Sequence, residues 1–314
     1  MIVFADPLRD SGLPRGGVIT IGNFDGMHVG HREIVRRVVE RAKSLGAPSV
    51  LMTFHPHPLS VVAPDRVPRQ ILTLAQKEEL LADSGLTAMA VIPFTPEFSC
   101  WSASRFVEEI LVGRLGAREI QVGSDFCFGA GREGTLEYLA ERGKELGFTA
   151  RRIDDITSRG IRVSSSLVRT ALTKGALRCA NLALGRIYFI DGRVTTGMRL
   201  GRKLGFPTVN LAPYNDLLPG SGVYATTCRF ASIPEVFESV TNVGVRPTLF
   251  ESGDISVESH ILDFDANVYE DEVRVTFHRL IRRERRFGSP QELTNQIRRD
   301  IEQTRHYFRQ HPQF

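Results

Sequence analysis

The sequence has 314 residues, of which 42% are hydrophobic and 24% charged, and this is enough apolar material for about two domain cores. Forty Lys and Arg side chains against 36 Asp and Glu give a net charge of +4, which suits small anionic ligands and argues against a nucleic-acid-binding surface. The start MIVFADPLRD becomes charged too early for a secretory signal, and no apolar run approaches the ~18 residues that span a bilayer. The four cysteines are scattered and form no CxxC pair, which argues against a disulfide framework or a zinc knuckle. We therefore expect a cytoplasmic protein with no membrane partner.

The first half of the chain alternates strand-like apolar runs with segments of helical periodicity. This alternation predicts a parallel sheet with helices on its faces, followed by one or two short helices within 164–185. The predicted elements are, in chain order, strand VITI (18–21), helix 32–45, strand PSVLMTF (48–54), helix 73–84, strand TAMAVIPF (87–94), helix 102–116 and strand REIQVG (118–123).

The second half is β-rich, and helical periodicity returns only at 289–308. Many short strands followed by one late helix predict a β-barrel with a C-terminal helix. We therefore place two domains at 1–184 and 185–314. The β-rich runs are, in chain order, 187–197, 206–213, 222–230, 239–247, 255–264 and 272–281.

The stretch GNFDGMHVGH (Gly22 to His31) lies between a predicted strand and a predicted helix. A helix N-terminus presents free N–H groups and a partial positive charge, and glycine lets the backbone approach an anion. His28 and His31 share a face of the first helical turn, from which two imidazoles can donate to phosphate oxygens. The stretch itself is neither a Walker loop nor a GxGxxG motif. The alternative is that one histidine caps the helix and the other packs in the core.

This stretch resembles the HxGH nucleotidyltransferases, in the version found in bacterial bifunctional riboflavin kinase/FAD synthetases. TFHPHP (53–58), VGSDFCFGAGREGT (122–135) and VSSSLVR (163–169) are similar to further motifs of that family and follow in its order. The resemblance implies a Rossmann-like adenylyltransferase domain. It implies ATP binding by Gly22, Asn23, Phe24, Asp25, Gly26, His28, His31, Ser164 and Arg169, and flavin binding in this domain by Phe54, His57, Pro58, Asp125 and Phe128. In the second half it implies flavin binding by Arg286, within a stretch (280–293) similar to the flavin-side segment of the riboflavin kinase domain.

The chemistry of adenylyl transfer fits these residue types. A phosphate monoester is already largely dianionic at neutral pH, so the protein has to position the reactants and cancel charge on the triphosphate. His28, His31 and Arg169 are the candidate catalytic residues, since an arginine can bind two phosphate oxygens at once. Asp125 could hold the ribose or a metal. His55 and His57 are separated by one residue, so on a strand they share a face and could bind a metal. We favour the interpretation that they form a wall of the flavin pocket.

A second candidate site begins at GMRLGRKLGFPTVN (Gly197 to Asn210). Glycines and basic side chains can surround a polyphosphate, and the Thr208 hydroxyl and Asn210 amide oxygen are hard ligands suited to Mg²⁺. From this stretch alone, a strand that ends in a proline turn, with Thr208 and Asn210 satisfying backbone groups, is an equally good interpretation.

The C-terminal motifs favour the functional interpretation. LGFPTVN resembles the riboflavin kinase PTxN motif, with Val209 at the usual Ala position, and 242–249, 257–264 and 280–293 are similar to later motifs. The resemblance implies Mg²⁺ binding by Thr208 and Asn210 and a catalytic Glu258, which would accept the proton of a primary alcohol. Tyr269-Glu270 departs from the usual Tyr-Gly. The implied ATP-binding residues are Gly197, Arg199, Gly201, Lys203, Gly205, Pro207, Thr208 and Asn242.

Together the motifs predict a two-domain enzyme that converts riboflavin and ATP into FMN, and FMN and ATP into FAD and pyrophosphate, with Mg²⁺ in both steps. We expect a monomer or weak homo-oligomer. Two alternatives remain: an HxGH adenylyltransferase for another phosphorylated vitamin, such as phosphopantetheine, and a non-catalytic flavin-binding regulator with decayed sites. The second β-rich half argues against the former, and retention of His28, His31, Thr208, Asn210 and Glu258 argues against the latter.

Overall fold

The computed structural model describes residues 1–154, 157–158, 161–196, 205–245 and 255–312. Internal contacts divide the chain into two units, one of Met1–Arg69 with Leu74–Ser164 and one of Gln70–Thr73 with Ser165–Phe314. The short helices before residue 185 fall in the second unit. The domain boundary at 184/185 stays a prediction, because grouping by contacts does not test which segments fold together.

The first unit contains a parallel sheet of six strands in the order β1-β4-β3-β2-β5-β6, as the alternating pattern predicted. The strands β2 and β4 are buried along nearly their whole length, which is why they read as continuous apolar runs. The strands are β1 Ile2–Phe4, β2 Val18–Ile21, β3 Ser49–His55, β4 Ala88–Pro93, β5 Glu119–Gly123 and β6 Thr149–Ile153, with a two-residue pair β7 Thr157–Ser158 and β8 Ile161–Arg162.

Helices connect these strands. Within the predicted helix 102–116, the part Phe106–Arg114 is π-helical: the Leu115 N–H bonds to the Ile110 carbonyl, five residues back, while an apolar stripe stays buried. The helices of this unit are α1 Val29–Ser44, α2 Pro58–Val62, α3 Leu74–Ala82, α4 Pro96–Ser99, α5 Ala103–Arg105 and α6 Leu136–Leu146, with 3₁₀ turns at Pro64–Arg66 and Ala130–Arg132.

The second unit is built on a closed antiparallel barrel, which confirms the barrel prediction. The strand order is β10-β13-β12-β11-β14-β9, and β9 closes the barrel by pairing with β10 and β14. The elements are α7 Ser165–Thr173, α8 Leu177–Leu184, β9 Tyr188–Thr195, β10 Val209–Pro213, β11 Gly222–Phe230, β12 Val236–Val245, β13 Ile255–Ile261, β14 Glu272–Arg283 and the C-terminal helix α9 Pro290–Gln310.

A chain of hydroxyl groups crosses the barrel interior. The Thr226 hydroxyl lies 2.7 Å from that of Ser239 and 2.6 Å from that of Thr241, which in turn lies 2.7 Å from that of Ser259. All four residues are buried. Because each hydroxyl has a partner, the interior carries polar groups without the penalty of unsatisfied ones.

The C-terminal helix is attached to the outside of the barrel by a buried ion pair. Asp300, 2% exposed, accepts from the Arg282 guanidinium at 2.9 Å and from the Gln296 amide at 2.8 Å. Ser289 caps the helix by accepting from the Glu292 N–H. Among the helices of the described ranges, none combines the length and apolar character needed to cross a bilayer.

Closure of the barrel requires a glycine at position 192. A Cβ there would collide with the Ala212 carbonyl oxygen and lie 2.9 Å from the Pro213 Cα, both on the neighbouring strand. We predict that Gly192→Ala lowers the free energy of unfolding of this unit by roughly 1–3 kcal/mol, since the backbone must shift. Differential scanning calorimetry measures the change. Gly288→Ala is the control, because its Cβ would make an ordinary contact at 3.5 Å; equal losses for the two variants would contradict the prediction.

The contact of α9 with the barrel also predicts a pH dependence of stability. His278 on β14 lies edge-on to Phe308, with Nε2 3.0 Å from the Thr227 hydroxyl. Burial, together with the charge of His311, lowers the pKa of His278 from 6.5 to about 4. The unfolded chain therefore binds this proton at higher pH than the folded chain, and stability falls as pH drops from 6.5 to 4, by up to about 3 kcal/mol.

The measurement is urea unfolding between pH 7 and pH 4.5 for the wild type and for His278→Gln, which keeps a polar group facing Thr227. We expect the variant to lose less stability than the wild type over this range. The same loss in both would show that His278 does not carry the effect.

Candidate active sites

The first site lies where the strand order of the parallel sheet reverses. The strands β3 and β4 lie on one side of β2 in the sheet, whereas β5 and β6 lie on its other side. Ligands of open α/β sheets bind at such a point, outside the carboxyl ends of the strands. The loop 22–28 leaves the carboxyl end of β2 and leads directly into α1. The topology therefore places GNFDGMHVGH where this class of fold binds nucleotides.

The two histidines lie face to face at the start of α1. His28 is the N-cap, and its Nδ1 accepts from the His31 N–H at 3.3 Å. The two rings stack with centroids 3.7 Å apart and planes 17° apart, while Phe24 meets His31 edge-on at 5.1 Å. The helix-capping alternative is thus observed for one nitrogen of His28. A neutral imidazole whose Nδ1 accepts a hydrogen bond carries its hydrogen on Nε2, and such an N–H can donate a hydrogen bond to a phosphate oxygen.

The turn before the histidines has an unusual backbone. Phe24 and Met27 have positive φ angles of 48° and 40°, and Gly26 has 86°. Both non-glycine side chains are buried. A non-glycine residue in the left-handed region costs of order 1–3 kcal/mol and persists where the surroundings hold it. Packing of Phe24 and Met27 is one such constraint.

A second constraint comes from Lys77 on α3, a residue that the sequence did not single out. Its ammonium group donates to the Asn23 carbonyl at 2.7 Å and to the Thr53 hydroxyl at 3.2 Å, and the same hydroxyl donates to the same carbonyl at 3.2 Å. Burial lowers the pKa of Lys77 from 10.5 to about 8, against the favourable charge of Asp25. Keeping this ammonium charged in the folded state costs roughly 3 kcal/mol relative to water.

The residues of the first unit that are predicted to bind flavin lie at the carboxyl ends of β3 and β5. His57 caps α2 by accepting from the Leu59 N–H at 3.2 Å, and its Nε2 lies 3.3 Å from the Asn23 side-chain nitrogen. The structure thus brings the TFHPHP motif, including Pro58 at the start of α2, against the HxGH loop. Within the described residues, no group of three or more His, Cys, Asp and Glu could hold a metal.

An aromatic cluster lies at the same edge of the sheet. Phe54 meets Phe94 edge-on at 5.7 Å, and Phe126 stacks on Phe128 at 5.5 Å. Phe54 and Phe126 are only partly buried, whereas Phe128 is buried. Partly buried rings at this edge are suited to contact a flat heteroaromatic ligand. The flavin role of Phe54 and Phe128 stays a prediction.

Three further predicted residues occupy different positions. The Asp125 side chain is 80% exposed and forms an ion pair with Arg162 at 3.2 Å. Exposure leaves it able to bind a ribose hydroxyl or a metal, so both interpretations stay open. Ser164 is the last residue of the first unit, and Arg169 lies on α7 of the second unit. Their part in ATP binding stays a prediction.

The second site is organised by the register of three barrel strands. Asn210 on β10 is directly opposite Glu258 on β13, and Glu258 is directly opposite Asn242 on β12. Side chains of directly opposite residues project from the same face of an antiparallel sheet, so this Asn–Glu–Asn row shares one face. The flanking residues Val257 and Ser259 are buried in the barrel, which places the row on the outer face. Glu258 is half-buried, and no other described residue bonds to its carboxylate.

The segment before β10 adds the Thr208 hydroxyl. His260 on β13 donates from Nδ1 to the Pro207 carbonyl at 2.7 Å and meets Phe206 edge-on. Thr208 is the residue directly before β10, and Asn210 lies two residues after it. In an extended backbone, the side chains of Thr208 and Asn210 therefore point to the same face. Thr208, Asn210 and Glu258 together offer the hard oxygen donors that Mg²⁺ prefers, and these residues fit that ion.

Part of the predicted kinase site lies outside the described residues. Gly197, Arg199, Gly201 and Lys203 belong to this part, whereas Gly205 is described and has φ +85°. The predicted flavin residue Arg286 lies in the segment between β14 and α9. Next to it, Arg285 donates to the Gln296 side chain at 2.8 Å, which ties the segment to α9.

Comparison with known proteins identifies both units. The family model described as FAD synthetase matches residues 11–167, and the riboflavin kinase model matches residues 184–308. A bifunctional riboflavin kinase/FMN adenylyltransferase of Pseudomonas fluorescens is 38% identical over 91% of both chains, and that of Escherichia coli K12 is 36% identical over 93% of both. The Bacillus subtilis relative is 34% identical over 93% of this chain and 92% of its own.

A crystal structure from Streptococcus pneumoniae, described as a macrolide-efflux protein, has a TM-score of 0.85 and 27% identity, and covers 97% of this chain and 99% of its own. That likeness extends the shared architecture to almost the whole of both chains, while the efflux description has no counterpart among the family models and curated relatives named above. With both family models matched in order and curated relatives similar over nine-tenths of its length, the chain belongs to the bifunctional riboflavin kinase/FMN adenylyltransferase family.

Proposed function

We propose that this protein phosphorylates riboflavin with ATP to give FMN, and then transfers the adenylyl group of a second ATP to FMN to give FAD and pyrophosphate. The observation that carries the proposal is the presence of two chemically different sites in two units. One presents stacked imidazoles at a helix N-terminus, and the other presents a carboxylate between two amides.

In the first unit, the FMN phosphate attacks the α-phosphorus of ATP and pyrophosphate leaves. The nucleophile is already anionic, so no general base is needed. His28 and His31 donate hydrogen bonds to phosphate oxygens, and the free N–H groups of α1 add positive potential. The family resemblance assigns Ser164 and Arg169 to ATP binding as well, and an arginine can bind two phosphate oxygens at once. Phe54, His57 and Phe128 position the flavin.

In the second unit, the ribityl alcohol of riboflavin attacks the γ-phosphorus of ATP. An alcohol stays protonated at neutral pH, so Glu258 accepts its proton as the bond to phosphorus forms. Mg²⁺, held by Thr208 and Asn210, would neutralise charge on the ATP phosphates. Asn242 faces Glu258 from the other side and orients the nucleotide or the carboxylate.

The setting of the reaction is part of the proposal. A mild net charge and small anionic substrates favour a cytoplasmic enzyme that needs neither nucleic acid nor membrane, as a monomer or weak homo-oligomer. An adenylyltransferase for another phosphorylated vitamin would leave the riboflavin kinase match of residues 184–308 without a role. A non-catalytic flavin-binding regulator would have no use for a half-buried carboxylate between two asparagines.

The activity is tested by incubating the protein with riboflavin, ATP and Mg²⁺ and separating the flavins by chromatography. We expect FMN first and FAD later, and no conversion after chelation of the metal. Unchanged riboflavin with intact protein would contradict the kinase assignment. FMN that never becomes FAD would contradict the adenylyltransferase assignment.

The assignment of the two sites is tested by one substitution in each. Because His28 also caps α1, His28→Asn is the sharper variant: asparagine keeps a capping oxygen and removes the imidazole. We expect it to lower FAD formation about 10²-fold or more and to leave FMN formation unchanged. Glu258→Gln should lower FMN formation by about 10²–10⁴-fold and leave FAD formation from supplied FMN unchanged.

Each variant is the matched control for the other, because both activities are measured on one chain. Loss of both activities in a folded variant would refute two separate sites.

A further inference from the structure

Lys77 is a buried charge that the mechanism above does not use. It lies on α3, is 8% exposed, and directs its ammonium group at the HxGH loop. Burial of an ammonium opposes folding, and an apolar side chain of similar length would fill the same space without that penalty. A strongly perturbed titratable group beside a candidate site is a common mark of function.

The atoms that Lys77 contacts define what it does. Asn23 is the residue before the left-handed turn, and its carbonyl oxygen accepts from the Lys77 ammonium and from the Thr53 hydroxyl. Lys77 also donates to Thr53. Three segments, α3, β3 and the loop, therefore meet at one carbonyl oxygen. A hydrogen bond from a charged donor is the stronger kind, and it holds the loop at the point where its unfavourable turn begins.

We propose that Lys77 is a positioning residue for adenylyl transfer: its ammonium group fixes the Asn23 carbonyl and so holds the turn that delivers His28 and His31 to the start of α1. The inference rests on the proposed role of this loop in binding ATP. Lys77 acts through the backbone of the loop and does not touch the reacting atoms.

The charges around Lys77 are consistent with this role. Asp25, in the turn itself, is buried and interacts favourably with the ammonium charge. His28 and His31 are the other titratable groups of the loop, and Glu78 and Glu79 follow Lys77 on α3. A positive charge beneath the loop balances the buried Asp25 carboxylate, which would otherwise repel a triphosphate.

The first test compares Lys77→Met with Lys77→Arg. Methionine keeps the length and removes the charge, whereas arginine keeps a charged donor. We expect Lys77→Met to lower kcat for FAD formation about tenfold or more, with FMN formation within twofold of wild type and no fall in melting temperature. Lys77→Arg should recover part of the loss. FAD formation by Lys77→Met within twofold of wild type would overturn the proposal.

A pH profile of the unmodified protein is the second test. The pKa of Lys77 is lowered to about 8, so the ammonium is charged at pH 7 and loses its proton as pH rises through 8. We expect FAD formation to fall over this range, and the fall to move to higher pH in Lys77→Arg, because arginine stays charged. The same alkaline limb in wild type and Lys77→Arg would exclude Lys77 as its source. This test applies even if Lys77→Met does not fold.

Amide hydrogen exchange provides a readout that does not depend on activity. We expect Lys77→Met to accelerate exchange in the peptide 22–31 and to leave the barrel strand Gly222–Phe230 unchanged. Unchanged exchange at 22–31 would overturn the positioning role. If the wild type made no FAD, the proposed function would fail, and hydrogen exchange would still decide whether Lys77 holds the turn.

Discussion

The left-handed turn between Asn23 and His28 is the constraint on which the proposed chemistry of the first unit depends. It turns the chain from the end of β2 into α1 over a few residues, so that both imidazoles fall on the first helical turn and stack. The conformation is unfavourable in itself, with two non-glycine residues at positive φ. Buried Phe24 and Met27, together with the Lys77 contact below Asn23, offset that cost.

The second unit is proposed to catalyse a different reaction, and its candidate residues are positioned by strand register. Phosphoryl transfer to an alcohol needs a carboxylate and hard metal ligands at fixed separations. In the proposed mechanism the barrel provides them through register, because three strands place Asn210, Glu258 and Asn242 directly opposite one another. Closure of the barrel fixes that register, and the row is therefore as rigid as the ladder that carries it.

The sequence predicted the α/β unit, the barrel and the C-terminal helix, because strand runs, helical periodicity and turn residues are local signals. It could not predict the edge strands β1 and β6, which are short and carry exposed residues. It also missed Lys77, since a lysine in a helix is ordinarily solvated and only the packing of α3 under the loop buries it. The Asn–Glu–Asn row depends on the pairing of β10 with β13, two strands that are not consecutive in the chain, and local signals do not predict such a pairing.

The central claim is that one chain carries two independent ATP sites. The most direct measurement is a crystal structure with Mg²⁺ and a non-hydrolysable ATP analogue. The account predicts two nucleotides per chain, one with its phosphates on His28 and His31 and one with its phosphates beside Thr208 and Asn210. A single nucleotide per chain at saturating analogue, or nucleotides bound away from these side chains, would contradict it.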